Sequence, residues 1–261
     1  MDQNILNRMN KIQTMMIRKI FSTSPLSLSP VTILPIFCFL FSILGHEGQC
    51  QNHTKNRSQM IESQLKKRGI ADEQVLQAMG NVPRHLFVVP GYEEQAYSDR
   101  PLPIGHDQTI SQPYIVAFMT EALQIRKGDK ILEIGSGSGY QAAVLAEMGA
   151  EVFTIELIPE LAKMADRNLR KAGYKGVKVK QGNGYLGWPE EAPFDGIIVT
   201  AAPEKVPQAL LDQLKMGATL IIPVGPAGAI QYLQKIVKRR KGTSVTELTP
   251  VRFVPMVDPE K

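Results

Sequence analysis

From Lys130 onward the chain alternates short, almost wholly apolar runs with longer stretches whose apolar positions recur at helical spacing. The runs "KILEIG", "EVFTIE", "VKVKQG", "FDGIIVTAA" and "ATLIIPVG" predict strands, and "YQAAVLAEMG", "PELAKMADRNLRKAG" and "VPQALLDQLK" predict the helices between them. Strands that lack polar alternation are buried on both faces, which requires helices on both sides of a parallel sheet. The expected fold class is therefore α/β, a doubly wound, mostly parallel sheet. The tail "IQYLQKIVKRRKGTSVTELTPVRFVPM" predicts two strands in a C-terminal antiparallel hairpin at the sheet edge, with "KRRKG" as its solvated turn. Upstream, "RSQMIESQLKKRGI" and "DEQVLQAMGNV" predict two short helices stopped by Gly69 and by Gly80-Asn81, forming an N-terminal helical cap. Between Pro90 and Pro113 the chain is rich in Pro, Gly, Asp and Ser and is predicted as one long ordered loop, after which "PYIVAFMTEALQI" restores helical period.

The first fifty residues stand apart. Arg8, Lys11, Arg18 and Lys19 precede an uncharged run of fourteen residues, Val31 to Leu44, followed by a polar stretch. That order resembles a signal peptide or a weak anchor, although Pro35 interrupts the run and fourteen residues is short for a bilayer span. Met9, Met15, Met16 and Met60 also offer later starts. The chain is accordingly divided into an extension, 1–50, and a globular domain, 51–261, with membrane contact expected only through residues 31–44.

Charge and cysteine content narrow the chemistry. The net charge of +5 falls to +3 for residues 51–261, where 26 Lys/Arg face 23 Asp/Glu, so no nucleic-acid partner is expected. Both cysteines, Cys38 and Cys50, lie in the extension, and His46, His53, His85 and His106 show no ligand spacing, so no metal site is expected.

The candidate chemistry sits after the first strand of the alternating region, in Gly135-Ser136-Gly137-Ser138-Gly139. Glycines there let a ligand approach the backbone at a helix N-terminus, but Tyr140 stands where a dinucleotide fingerprint needs its third glycine. Glu156 ends the second strand seventeen residues after Gly139, where a carboxylate accepts from both hydroxyls of a ribose. The ligand expected carries an adenosine. A further turn, Gly182-Asn183-Gly184, falls at the same carboxyl edge of the sheet. The "TAAP" that ends the fourth strand differs from the Asn/Asp-Pro-Pro-aromatic stretch of enzymes that methylate exocyclic amines.

The blocks "LPIGHDQTISQPYIVAFMTEAL", "ILEIGSGSGYQAAVLA", "PFDGIIVTAAPEKVPQALLDQLK", "LIIPVG" and "VRFVP", with "VPRHLFV" in the cap, resemble the protein-L-isoaspartate (D-aspartate) O-methyltransferase family from about Ile61 to Met256. The resemblance implies a Rossmann-like class I methyltransferase fold, S-adenosylmethionine as cofactor, and isoaspartyl-containing peptides and proteins as partners. It also implies a cytoplasmic body, against export or anchoring through the extension, and a monomer is expected. Carried onto this sequence, it makes Ser111 the catalytic hydroxyl, with Thr109 and Ile110 lining the same pocket. It puts Gly135, Gly137 and Gly139 around the methionine part of the cofactor, Glu156 on its ribose, Asn183 and Gly184 at its adenine, and Gln231 close by. Where the family has Asp in its "GDG" stretch this chain has Asn183, a neutral and weaker acceptor, so restoring the acid is expected to tighten cofactor binding.

The reaction so implied forms a methyl ester on a carboxylate, which is already a nucleophile at neutral pH and requires no strong base. Ser111 is expected to orient it by a hydrogen bond. His106 is expected to be solvent-exposed, Asp99 and Asp107 to be turn residues, and Tyr140 and Trp188 either to stack on adenine or to pack. Two competing readings share the fold: a methyltransferase for a small-molecule or RNA target, and a silent cofactor-binding module.

Overall fold

The structure is a computed structural model, and it describes residues 52–260. The extension, 1–50, lies outside the described residues. No helix among the described residues is long and apolar enough to cross a membrane.

The cap begins with helix α1, residues 52–60, which widens into a π turn at Ile61–Leu65 and then tightens through Lys66–Arg68 to Gly69, whose φ of 94° ends it. Helix α2, Glu73–Asn81, is capped by Asp72, whose side chain accepts from the N–H groups of Gln74 and Val75. Helix α3, Pro113–Leu123, is tied to the cap by Glu121, whose Oε1 accepts from the N–H groups of Ala71 and Asp72 at 2.8 and 2.7 Å.

The sheet has seven strands: β3 Lys130–Ile134, β4 Glu151–Glu156, β5 Lys178–Gln181, β6 Phe194–Val199, β7 Leu214–Val224, β8 Gln231–Lys238 and β9 Thr243–Val251. Their spatial order is β5-β4-β3-β6-β7-β8-β9; the first five are parallel, and β8 and β9 are added antiparallel. Helices α4, Tyr140–Glu147, α5, Pro159–Lys171, and α6, Gln208–Asp212, fill the crossovers. Neighbouring residues on a strand enter opposite cores. Ile131, Val152 and Ile198 join one cluster with α1 to α5, while Leu132, Phe153 and Ile197 join another with Leu210 of α6. Each such side chain, buried on one or other face of the sheet, contributes about 1.5–3 kcal/mol, which explains why these strands tolerate no polar alternation.

The segment between Pro90 and Pro113 departs from the expected single loop. It contains a small hairpin, β1 Leu102–Gly105 and β2 Gln108–Ile110, closed by His106 and Asp107 with φ of 52° and 56°. Positive φ at both central residues suits a tight hairpin turn. Strands of four and three residues are too short to give a readable period, although Leu102, Ile104 and Ile110 are buried.

Candidate active site

Strand β3 is the pivot of the sheet: the chain runs outward from it to β4 and β5, then returns to pair β6 on its other side. At such a switch point the two crossovers diverge and leave a crevice at the carboxyl ends of the strands. The glycine turn lies in this crevice. Gly135 has φ 97°, and a Cβ there would lie 2.4 Å from Thr200 Oγ1, a hydroxyl that donates to Gly135 O at 2.7 Å. Gly137 has φ 50°, and its N–H donates to Glu156 Oε2 at 2.8 Å. The second oxygen of Glu156 accepts from Ile158 N at 3.0 Å, so two backbone donors orient the carboxylate.

A pocket occupies this crevice, walled by Gly135, Ser136, Gly137, Glu156, Gly184 and Thr200 among others. At Gly184 a Cβ would come within 2.4 Å of Ile134 Cγ2 and 3.1 Å of Met256 Cε, so only glycine keeps that wall open. At its base lies Glu133, fully buried, whose Oε2 accepts from Thr154 and whose Oε1 has no partner. Burial, with the Glu156 carboxylate adding to it, pushes Glu133 up to about 8 against the Thr154 hydrogen bond. The family resemblance gave Glu133 no role, although its position in "ILEIGSG", the one acid in a buried strand, was the available signal.

The hairpin and the start of α3 carry Ser111 to the mouth of this pocket. A second, wider groove lies on the other side of the serine, lined by Arg68, Tyr114, Ile230, Thr249 and Phe253 among others. Thr109, Ser111, Thr200 and Val254 wall both spaces. Ser111 is half-buried.

Residues 253–258 form a strap across the same mouth, and Val254 to Val257 line the pocket. Ala202 holds it through two backbone bonds of 2.8 Å, to Val254 O and from Met256 N. Tyr185 Oη donates to Met256 O at 3.1 Å, and Asn183 Nδ2 donates to Asp258 Oδ1 at 3.1 Å. The tail that the sequence pattern assigned to a hairpin as far as Met256 leaves the sheet at Val251, and the residues beyond it form this strap instead.

Of the ten residues assigned from sequence, Thr109, Ile110, Ser111, Gly135, Gly137, Glu156 and Gly184 line the pocket, whereas Gly139, Asn183 and Gln231 do not. Gly139 caps α4 at φ 89°, where a Cβ would sit 3.2 Å from Ala165 O, so it sets the approach of α4 to α5. Asn183 turns its side chain away, accepting from Tyr185 N at 3.0 Å while clipping Asp258. Gln231 is buried under the strap, where its Oε1 accepts from Phe253 N at 2.9 Å. His106 is exposed, and Asp107 forms the hairpin turn beside it. Asp99 pairs with Arg68 at 2.8 Å rather than merely turning the chain. Trp188 packs edge-on against Phe153, away from the pocket, and Tyr140 lines the pocket while packing on Phe87. Among the described residues no group of three His, Cys, Asp or Glu side chains could hold a metal ion.

Comparison with known proteins places this architecture. The family model described as Protein-L-isoaspartate(D-aspartate) O-methyltransferase (PCMT) matches residues 55–261. A protein-L-isoaspartate O-methyltransferase of Gloeobacter violaceus is 57% identical over 197 residues, covering 76% of this chain and 96% of that one. One of Opitutus terrae is 52% identical over 218 residues, covering 83% and 94%. Among solved structures, a protein-L-isoaspartate O-methyltransferase aligns with a TM-score of 0.72 at 30% identity, over 77% of this chain and 66% of that one. A Plasmodium falciparum chain described as a beta-aspartate methyltransferase, solved with S-adenosyl-L-homocysteine, aligns with a TM-score of 0.67 at 27% identity, over 77% and 98%.

Proposed function

This chain belongs to the protein-L-isoaspartate(D-aspartate) O-methyltransferase family, and from that membership we propose that it transfers a methyl group from S-adenosylmethionine to the free carboxylate of L-isoaspartyl and D-aspartyl residues in damaged proteins and peptides, the step that initiates their repair. The observation that carries this reading is the pair of spaces meeting at Ser111: a pocket lined by the glycine turn and Glu156 shares Thr109, Ser111, Thr200 and Val254 with a second, larger groove.

The pocket suits the cofactor on its own chemistry. Glycine cradles at 135 and 184 leave room that a side chain would fill, and the open oxygen of Glu133 faces a ligand that bears positive charge. In this reading Gly135 and Gly137 flank the methionine part, Glu156 accepts from the ribose hydroxyls, and Gly184 meets the adenine. When bound, S-adenosylmethionine supplies a sulfonium-borne methyl group.

The residues around it orient and desolvate. Ser111 Oγ donates to one oxygen of the substrate carboxylate and leaves the other aimed along the pocket axis. Thr109 and Thr200 narrow the passage, and Val254 and Met256 exclude water from a charge pair that neutralises as it reacts. No general base is needed, since the carboxylate is ionised at neutral pH. The edge of β9 from Thr249 to Val251 lines this groove and offers main-chain bonds to an extended peptide, which suits a substrate defined by its backbone linkage rather than its sequence.

The active unit is read as a monomer. S-adenosylmethionine is made in the cytoplasm, which supports a cytoplasmic body; the alternative is export or anchoring through residues 31–44, decided by the mass of the mature N-terminus. The function is tested with two peptides that differ only in isoaspartyl against normal aspartyl linkage. Methyl ester should form on the first alone, and equal ester on both, or on neither, overturns the reading.

A further inference from the structure

Arg84 is fully buried in the short helical turn at the end of the cap, and among the described residues no carboxylate pairs with it. Its Nε donates to Ala96 O at 2.7 Å, its Nη2 donates to Ser111 O at 2.7 Å, and its guanidinium lies 4.6 Å from the centre of the Tyr140 ring. Nη1 is buried with no partner. Burial pulls the group down to about 10, so it remains a cation at neutral pH.

Stability alone does not explain this placement. A buried cation without a counter-charge is costly, and an apolar side chain of similar length fills the same volume without that cost. What an apolar residue cannot do is hold two carbonyls of distant segments in one plane. A guanidinium fork does so rigidly. One of those carbonyls belongs to the serine that walls both spaces, and the ring beneath the fork is Tyr140, which lines the cofactor pocket and begins α4. The rest of the Ser111 loop is held more loosely. The β1–β2 pairing ends at Ile110, and the side chain of Gln112 reaches Asp99 O at 3.0 Å from an exposed position.

We propose that Arg84 is a positioning residue for methyl transfer, fixing the peptide plane of Ser111 against the cofactor-binding helix so that the serine hydroxyl meets the substrate carboxylate in register. The inference rests on the reading of Ser111 as the group that orients the carboxylate. Arg84 touches no reacting atom. It sets the distance between the two halves of the site, and a misplacement of about 1 Å there can cost a hundredfold in rate.

The test is a double-mutant cycle of Arg84→Met and Ser111→Ala, with active sites counted by calorimetric cofactor binding. Arg84→Met should bind S-adenosylhomocysteine within threefold of the native protein, keep KM for an isoaspartyl peptide within about fivefold, and lose about 10- to 100-fold in kcat. In the Ser111→Ala background the same change should have little further effect, because the group it positions is gone. Arg84→Lys, which keeps a donor but not the fork, should fall between, and it carries the same cycle should the methionine variant not fold. Full kcat per active site in the Arg84 variants, losses that multiply with those of Ser111→Ala, or a cofactor affinity that falls in step with kcat would overturn the proposal. Undiminished turnover in Ser111→Ala would instead remove the reading of Ser111 on which it rests.

Discussion

Replacing Asn183 by Asp restores the acid that the family carries, and sequence alone expects tighter cofactor binding; the contacts of the amide lead us to predict the opposite sign. The amide performs two tasks with its two ends, accepting from Tyr185 N and donating to Asp258. Aspartate keeps the first, since either carboxylate oxygen caps that turn as well as an amide does. It loses the second, and it sets a carboxylate about 3 Å from that of Asp258. Losing a hydrogen bond to a charged group costs about 1.5–3 kcal/mol where both groups are buried, and less here, where both are half-exposed. Like charges at this range add roughly 1–4 kcal/mol between water and a protein surface, and rotation of the strap relieves part of it. A net cost of about 1–2 kcal/mol on the closed strap follows. Val254 to Val257 belong to the wall of the pocket, so that cost appears as a 5- to 30-fold weaker cofactor.

The assay is calorimetric titration of S-adenosylhomocysteine into four proteins: native, Asn183→Asp, Asp258→Asn, and the double variant that exchanges the pair. The single change at 183 should weaken binding, and more so at low salt, where repulsion is least screened. Asp258→Asn should change it little, because an amide still accepts from Asn183 and from Glu260 N. The double variant should return to within about threefold of the native value, as the donor and acceptor are merely swapped. Tighter binding by Asn183→Asp, or additivity of the two changes, refutes the clip and returns residue 183 to the adenine.

Three further variants test the same geometry. Glu133→Gln should flatten the pH dependence of cofactor binding, which in the native protein should strengthen as pH rises toward about 8 because a cation favours the ionised acid; an unchanged slope assigns the titration to another group. In the ligand-free protein Glu133 acts oppositely: its raised value favours folding fully below about 4.5, a contribution lost as pH rises through about 8, so the variant's melting temperature should vary less across that window. Glu156→Ala should weaken cofactor binding by about 1–3 kcal/mol, since it removes the ribose acceptor and frees Gly137 N and Ile158 N, and calorimetry showing no loss removes it from the site. Ser111→Ala should lower kcat about 10- to 1000-fold with cofactor affinity nearly intact, and equal loss in both would make the serine a cofactor ligand instead.

The parallel sheet was legible because its central strands are buried on both faces, and an uninterrupted apolar run such as Leu220 to Ile222 suits few environments but the middle of a covered sheet. The glycine turn and Glu156 were legible for a related reason: a ligand that touches backbone at the end of a strand needs glycine there, and positive φ at 135, 137 and 139 is a local demand written in local residues. Gly139 shows the limit of that logic. A Cβ there would meet Ala165 on the next helix, and spacing within the turn cannot tell such a packing demand from a ligand's.

What the sequence hid are the residues whose partners lie far along the chain. Arg84 meets Ser111 across twenty-seven positions, and Asn183 meets Asp258 across seventy-five. Neither contact follows from period or propensity, because each depends on where the doubly wound sheet delivers its loops. The crevice of β3 gathers four such segments: the cap through Arg84, the hairpin through Ser111, the end of β6 through Thr200, and the strap through Val254. Methyl transfer between two bound partners depends on alignment rather than on a strong acid or base. Such chemistry places its demands on the geometry among segments and leaves few conspicuous residue types within any one of them. The double-mutant cycles across Arg84–Ser111 and Asn183–Asp258 measure the part of the site that spacing along the chain does not encode.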